Sequence, residues 1–172
     1  MATKVLWETE LTDIKSTDVE GVGQLRFVDG ADGGVYRWVK NRNATDFTAK
    51  QPVCYDAGNA GSKTLLQKVN SPVTEDLMLA AGIAVTAIEA SGSKCYGWVK
   101  VEGYFQDARV LGVSGTAVAI GDELVAADGA TTLTRATAVG TAPKRRLTFV
   151  ALEAVSAATG ATYAKDVYIH CL

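Results

Sequence analysis

The stretch YRWVK at residues 36–40 returns sixty positions later as YGWVK at residues 96–100. Each copy is followed by an acidic, glycine-containing turn beside a short apolar run, VCYDAG at residues 53–58 and DELVAADG at residues 122–129. As a strand, the first copy would place Val35, Arg37 and Val39 on one face and Tyr36, Trp38 and Lys40 on the other, so that neither face is purely apolar or purely polar. A strand pattern that occurs twice predicts a β protein built from two related units.

Other β-prone runs lie along the whole chain, most of them separated by Gly, Ser or Asp. The glycine-rich loop Asp29–Gly34 lies between the runs 24–28 and 35–40 and predicts a hairpin there, because its glycines supply the positive φ angles of a tight reversal. One short helix competes at residues 72–81, where Thr74 could cap it. The fold class is therefore all-β, a small barrel or sandwich with at most one short helix. The strands are expected at residues 24–28, 35–40, 53–55, 65–69, 83–88, 94–102, 109–113, 123–126, 132–135, 147–154 and 167–172.

Three segments are expected along the 172 residues: an N-terminal arm at 1–20, a first β unit at 21–81 and a second at 82–172. The arm carries the apolar residues Val5, Leu6 and Trp7, and the next dozen residues offer no apolar face to bury them. We therefore expect the arm to contact a neighbouring subunit or another partner.

The charge balance argues against a nucleic-acid partner. A net charge of −2 lacks the surplus of clustered Lys and Arg that neutralises phosphates. The basic cluster Lys144, Arg145 and Arg146 is a candidate contact for an acidic partner, although a solvated loop is the commoner role of such a run. The sequence shows neither a signal-peptide pattern nor an apolar run long enough to span a membrane, so no membrane partner is expected.

The three cysteines, Cys54, Cys95 and Cys171, are widely spaced, and each lies in an apolar run. An odd number without motif spacing predicts reduced, at least partly buried thiols and not a disulfide framework or a metal site.

No motif for catalysis, cofactor binding or metal binding is complete. The loop Gly58–Thr64 resembles a phosphate loop, but Ser62 separates the glycine from the lysine. The loop Asp29–Gly34 has too few carboxylates for calcium, and His170 is the single histidine. We expect a binding or assembly protein without catalytic, cofactor or metal residues, and not an enzyme.

Six aromatic residues offer an alternative role as a sugar-stacking platform or a protein interface, although core packing is the commoner use of such side chains. A carbohydrate-binding module would use Trp38 and Trp98 in particular. The six are Tyr36, Trp38, Tyr96, Trp98, Tyr104 and Phe105.

Four stretches, taken in order, resemble the head decoration, or capsid cement, proteins of tailed bacteriophages. They are GIAVTAI at 82–88, YGWVKVEG at 96–103, VAIGDELV at 118–125 and VALEA at 150–154. The similarity covers roughly residues 82–172, with a weaker echo at 34–58, while Lys50 and Gln51 depart from the glycine-containing pair that the first unit would carry.

The resemblance implies a small barrel of the β-tulip type and a structural virion protein that stabilises the outside of a phage head. The implied partner is the major capsid protein, contacted by a homo-oligomer, a trimer or dimer at a capsid symmetry axis. The protein would be made and assembled in the host cytoplasm. A fibre, tail or adhesion component is the alternative within the same class of virion proteins.

Overall fold

The computed structural model describes residues 7–30, 33–56, 68–70, 72, 79–126, 130–136, 149–157 and 160–171. Its regular structure is all β, which confirms the predicted fold class. Across these ranges, no helix is long and apolar enough to cross a membrane. The ten strands are β1 (Leu25–Val28), β2 (Gly34–Asn41), β3 (Pro52–Tyr55), β4 (Lys68–Asn70), β5 (Ala80–Ala84), β6 (Tyr96–Leu111), β7 (Glu123–Ala126), β8 (Leu133–Arg135), β9 (Phe149–Ala151) and β10 (Thr162–His170).

The strands close into two five-stranded rings that share β6. The first ring runs β2, β4, β3, β5, β6 and back to β2, and the second runs β6, β10, β9, β7, β8 and back to β6. All neighbouring strands in the rings are antiparallel except the β2–β4 and β6–β8 pairs. The N-terminal half of β6 lies between β2 and β5, and its C-terminal half lies between β10 and β8. One 16-residue strand is thus a member of two small barrels.

Each ring has its own apolar interior. The first encloses aliphatic side chains around Phe47, and the second encloses Phe105, Phe149 and their aliphatic neighbours. The inward side chains alternate with outward ones along the strands, as a sheet with one buried face requires. Burial of these two clusters is the main source of the fold's stability.

A β-bulge in β6 adjusts the strand to the second ring. Phe105 pairs with Val167 and Ala108 with Lys165, so β6 has one residue more than β10 over this step. The extra residue shifts the alternation, and Ala108 points into the same core as Phe105. Asp107, at the bulge, has a φ of 59°.

Two polar contacts hold the bulge, one to β10 and one to the turn before β3. The Asp107 N–H donates to Asp166 Oδ1 on β10 at 3.2 Å, and its carboxylate Oδ2 lies 2.9 Å from Lys50 Nζ. Lys50, in the turn before β3, is the other non-glycine residue with positive φ among those described, at 66°. The ion pair therefore joins two residues of positive φ at the place where the two rings meet.

The two copies of the pentapeptide are neighbours in space. Trp38 pairs with Trp98, Tyr36 with Lys100 and Lys40 with Tyr96 in the antiparallel β2–β6 ladder. Both copies thus belong to the first ring, where they lie side by side. The expectation that they superpose as equivalent strands of two halves stays a prediction. The first ring also takes strands from both sides of residue 82, so the rings do not coincide with the predicted units 21–81 and 82–172.

The segment 7–20 packs on the outer face of the first ring, where Trp38 and Trp98 form a third apolar cluster. The Trp7 ring meets the Trp98 ring edge-on, with centroids 5.6 Å apart. The indole N–H of Trp98 donates to Thr9 Oγ1 at 2.9 Å. The apolar partner of Trp7 is thus the outer face of the first ring and not the dozen residues that follow it. The contact of this segment with a neighbouring subunit stays a prediction.

Most predicted strands are found within a few residues of their expected positions, and the β1–β2 hairpin is confirmed. The expected strands 94–102 and 109–113 are joined in the continuous β6, and β10 begins at Thr162, five residues before its predicted start at 167. The helix considered at 72–81 lies mostly outside the described residues, and its last two positions belong to β5.

The three cysteines occupy the expected environments. Cys54 and Cys95 are buried, Cys171 is half-buried, and all three are free thiols. Burial raises the pKa of the Cys171 thiol, and the neighbouring Cys54 raises it further. The predicted burial of the three side chains is confirmed.

Replacing Gly82 with Ala should destabilise the protein strongly. A Cβ at this position would lie 2.1 Å from the carbonyl oxygen of Lys100, on a backbone with φ of +134°. We expect a loss of about 3 kcal/mol or more in unfolding free energy, measured by urea denaturation. Gly92→Ala is the control, because φ there is +104° but no atom lies within 4 Å. Its cost should stay at about 1–2 kcal/mol, and equal losses for the two variants would contradict the steric explanation.

Thr9→Val should also destabilise the protein, by about 1–3 kcal/mol, because it leaves the buried indole N–H of Trp98 without an acceptor. Thr12→Val, at an exposed position of the same segment, should change stability by less than about 0.5 kcal/mol. Both values come from chemical denaturation followed by tryptophan fluorescence. Equal effects of the two substitutions would show that segment 7–20 does not support the fold through Thr9.

Candidate interaction surface

The predicted contact residues are only partly within the described chain. Val5, Leu6 and the basic cluster Lys144, Arg145 and Arg146 lie outside it. Trp7 is described and is half-buried against Trp98. Since its ring packs within its own chain, Trp7 contributes to the fold, and its contact with a partner stays a prediction.

The tryptophans proposed as a sugar platform are inaccessible. Trp38 and Trp98 are both 0% exposed, with ring centroids 5.2 Å apart. The indole N–H of Trp38 donates to Asp18 Oδ1 at 3.0 Å. A carbohydrate module that uses these two rings is therefore ruled out.

Among the described residues, most of the exposed large apolar side chains lie on the second ring. Ile120 is 70% exposed, and Leu152 and Tyr168 are also exposed. We call these three residues the apolar strip. Phe27, on β1 outside both rings, is exposed to a similar degree, at 72%.

The turn that carries Ile120 is held by a dense set of polar contacts. Asp122 Oδ2 accepts from the Ala119 N–H at 2.7 Å, and the Asp122 N–H donates to the Ala119 carbonyl at 3.1 Å. Arg135 binds both carboxylate oxygens of Asp122, with Nε–Oδ2 2.8 Å and Nη2–Oδ1 3.1 Å. Its other terminal nitrogen donates to the Ala117 carbonyl at 3.1 Å. Ile120 is thus displayed on a rigid turn, which lowers the entropy cost of burying it against a partner.

Backbone hydrogen bonds connect the three positions of the strip. The Gly121 N–H, next to Ile120, donates to the Ala151 carbonyl at 2.8 Å, and the N–H of Leu152 donates to the Asp166 carbonyl at 3.0 Å. Two residues further along β10, Tyr168 faces outward. The strip therefore crosses from the turn before β7 through the end of β9 to β10.

The other exposed tyrosine on this ring, Tyr104, is fixed by a charged acceptor. Its hydroxyl donates to the Asp166 carboxylate. This hydrogen bond raises the pKa of Tyr104 to about 12, since ionisation would place two negative charges side by side. Burial has a similar effect on Tyr55, whose pKa is also raised to about 12.

His170, the single histidine of the sequence, was the candidate considered for catalysis. His170 is exposed on β10, with Nδ1 3.9 Å from Glu102 Oε1. In the described parts of the chain, no three His, Cys, Asp or Glu side chains are grouped so that they could hold a metal ion.

Comparisons with known proteins give little further information. No protein-family model matches the chain, and no curated protein matches it. Among solved structures, the N base of head fibre gp8.5 of bacteriophage phi29 is similar, with a TM-score of 0.40 and 12% sequence identity. The similarity covers 79% of this chain and 95% of that one. It is too weak to support a conclusion about function.

Sequence reasoning missed the apolar strip. Ile120 stands in the stretch VAIGDELV, where an isoleucine directly before a Gly-Asp turn was a usable signal of an exposed apolar tip. Tyr168 lies in the part of β10 that the prediction had in strand, but its outward direction depends on the pairing with β6.

The tyrosine–aspartate hydrogen bond gives a pH prediction. Because the folded-state pKa of Tyr104 is above its usual 10, its contribution to stability is complete below about pH 10 and is lost as pH rises through about 12. Asp166→Asn removes the carboxylate charge and should lower the pKa of Tyr104 towards 10, as measured by NMR titration of the tyrosine Cζ resonances. The pKa of Tyr55, raised by burial, should stay unchanged. A Tyr104 pKa that does not respond would contradict this origin of the shift.

Proposed function

We propose that this protein is a structural component of a bacteriophage virion, bound to the outside of the head, where it stabilises the capsid. It has no enzymatic activity in this role and needs no cofactor or metal. Its partner is the major capsid protein, and nucleic acid and membranes are not partners.

Ile120 is the observation that carries the proposal. It belongs to the stretch VAIGDELV, one of the four that resemble capsid cement proteins, and it is 70% exposed on a turn held by Asp122 and Arg135. Together with Leu152 and Tyr168, it gives this face of the second ring an exposed apolar surface, which suits a protein interface.

The arrangement of the other resembling stretches supports the same role. GIAVTAI and YGWVKVEG contribute the paired strands β5 and β6, while the turn before β7 bonds to β9 through Gly121 and Ala151. The segments that carry the resemblance are thus neighbours in the fold and not isolated matches.

A capsid lattice suits a modest contact surface. Each apolar strip offers few side chains, but identical contacts repeated over a symmetric particle add up when the bound copies are linked. We propose that the protein binds as a trimer or dimer on a capsid symmetry axis, assembled in the host cytoplasm.

The test uses heads that lack the protein, with purified wild type or variants added back. Wild type should bind the heads and reduce DNA release on heating or chelator treatment. It should not bind free DNA. Ile120→Ser should weaken binding by roughly 30-fold, which corresponds to about 2 kcal/mol for one buried side chain. Binding should depend only modestly on salt, because apolar contacts carry it.

Phe27→Ser is the matched control, because Phe27 is as exposed as Ile120 but lies on β1. It should bind like wild type. Unchanged DNA release after wild type is added would contradict the stabilising role. Localisation at the tail or at one vertex would favour the alternative, a fibre, tail or adhesion component.

A further inference from the structure

A cleft of about 690 Å³ lies where segment 7–20, β1 and the middle of β6 meet. The proposed capsid role does not use it, and the apolar strip does not line it. Its volume is within the roughly 300–1,000 Å³ of small-molecule sites in proteins.

One wall of the cleft is aromatic. Tyr104 and Phe105 of β6 line it together with Tyr36 of β2. Tyr36 and Phe105 are nearly buried, whereas the Tyr104 ring is exposed. Because the Tyr104 hydroxyl is bound to Asp166, the ring is fixed and can serve as a flat stacking surface.

Planar polar groups lie around this wall. Glu10, Asp29 and Gln106 line the cleft, and all three residues are exposed. Arg26 is also in the lining, held in place by donation to the Thr9 carbonyl at 2.8 Å and by the Trp7 ring, 5.7 Å from its guanidinium carbon. Together, these groups can donate and accept hydrogen bonds.

The charges of the lining decide between ligand classes. Glu10 and Asp29 would repel an anion, although Arg26, Lys50 and Lys100 are also present. Lys50 is already paired with Asp107 at 2.9 Å, and the Lys100 ammonium lies 5.0 Å from the Tyr36 ring centroid. A ligand of either charge would meet like charges here.

A sugar hydroxyl is both donor and acceptor, so it can bind carboxylates and cationic groups alike. The apolar face of a pyranose ring can stack on a tyrosine. We propose that the cleft binds a neutral saccharide, with Tyr104 as the stacking residue and Gln106, Glu10 and Asp29 as hydrogen-bonding partners.

The proposal can be tested on the isolated full-length chain by NMR titration. The probes are the methyl glycosides of glucose, galactose, mannose and N-acetylglucosamine, with methyl glucuronate as the anionic comparison. At least one neutral glycoside should shift the resonances of residues 10–12 and 104–106. Tyr104→Ala should weaken that binding at least about tenfold, whereas Tyr104→Phe, which keeps the ring but loses its hydrogen bond to Asp166, should weaken it by less.

Tyr168→Ala is the control, because Tyr168 pairs with Tyr104 across β6 and β10 and is exposed but does not line the cleft. It should bind the glycoside as wild type does. Gln106→Ala, at an exposed position, should weaken binding several-fold without loss of folding. Absence of shifts with every neutral glycoside, or tighter binding of the glucuronate, would overturn the proposal. Since no heads are present in this test, its failure leaves the capsid role unaffected.

Discussion

The hydrogen-bond ladder of β6 is the constraint on which the rest of the structure depends. Both edges of this strand are paired in both of its halves, with β2 and β5 first and with β10 and β8 afterwards. Closed rings remove the unpaired edges that open sheets expose to aggregation. The same closure fixes the positions of the two cores relative to each other, since a change in the register of β6 would disturb both.

Polar contacts then fix the conformation of irregular segments in the rings. Lys50 and Asp107 fix the bulge where the rings meet, and Asp122 with Arg135 fixes the turn on the second ring. These ion pairs are partly exposed, so each adds little to global stability. Their effect is on geometry, since they hold a bulge and a loop tip in one conformation.

The composition and spacing of β-prone runs predicted the fold class and most strands, because alternation and turn residues are local properties. Which strands pair is not a local property. The repeated pentapeptide predicted two strands, but it did not predict that Trp38 and Trp98 would be adjacent in one ladder. The continuity of β6 was missed because the bulge at Asp107 breaks the alternation that predicts a strand. The partner of Trp7 could not be foreseen, since it is the outer face of a ring that exists only after closure.

For the candidate sites too, local features were predictable from the sequence and long-range contacts were not. Residue spacing led to the prediction that no catalytic motif is complete, and this stays a prediction. The apolar strip and the cleft, however, join residues from distant parts of the chain, such as Ile120 with Tyr168 and Glu10 with Tyr104. The shared strand also has a kinetic consequence during synthesis on the ribosome. Neither ring can close before β6 has left the ribosome, and the second ring also requires β10. Most native contacts therefore join residues that are far apart in the sequence. Folding should be slow for a chain of this size, and the early strands will need protection from wrong partners until β6 arrives.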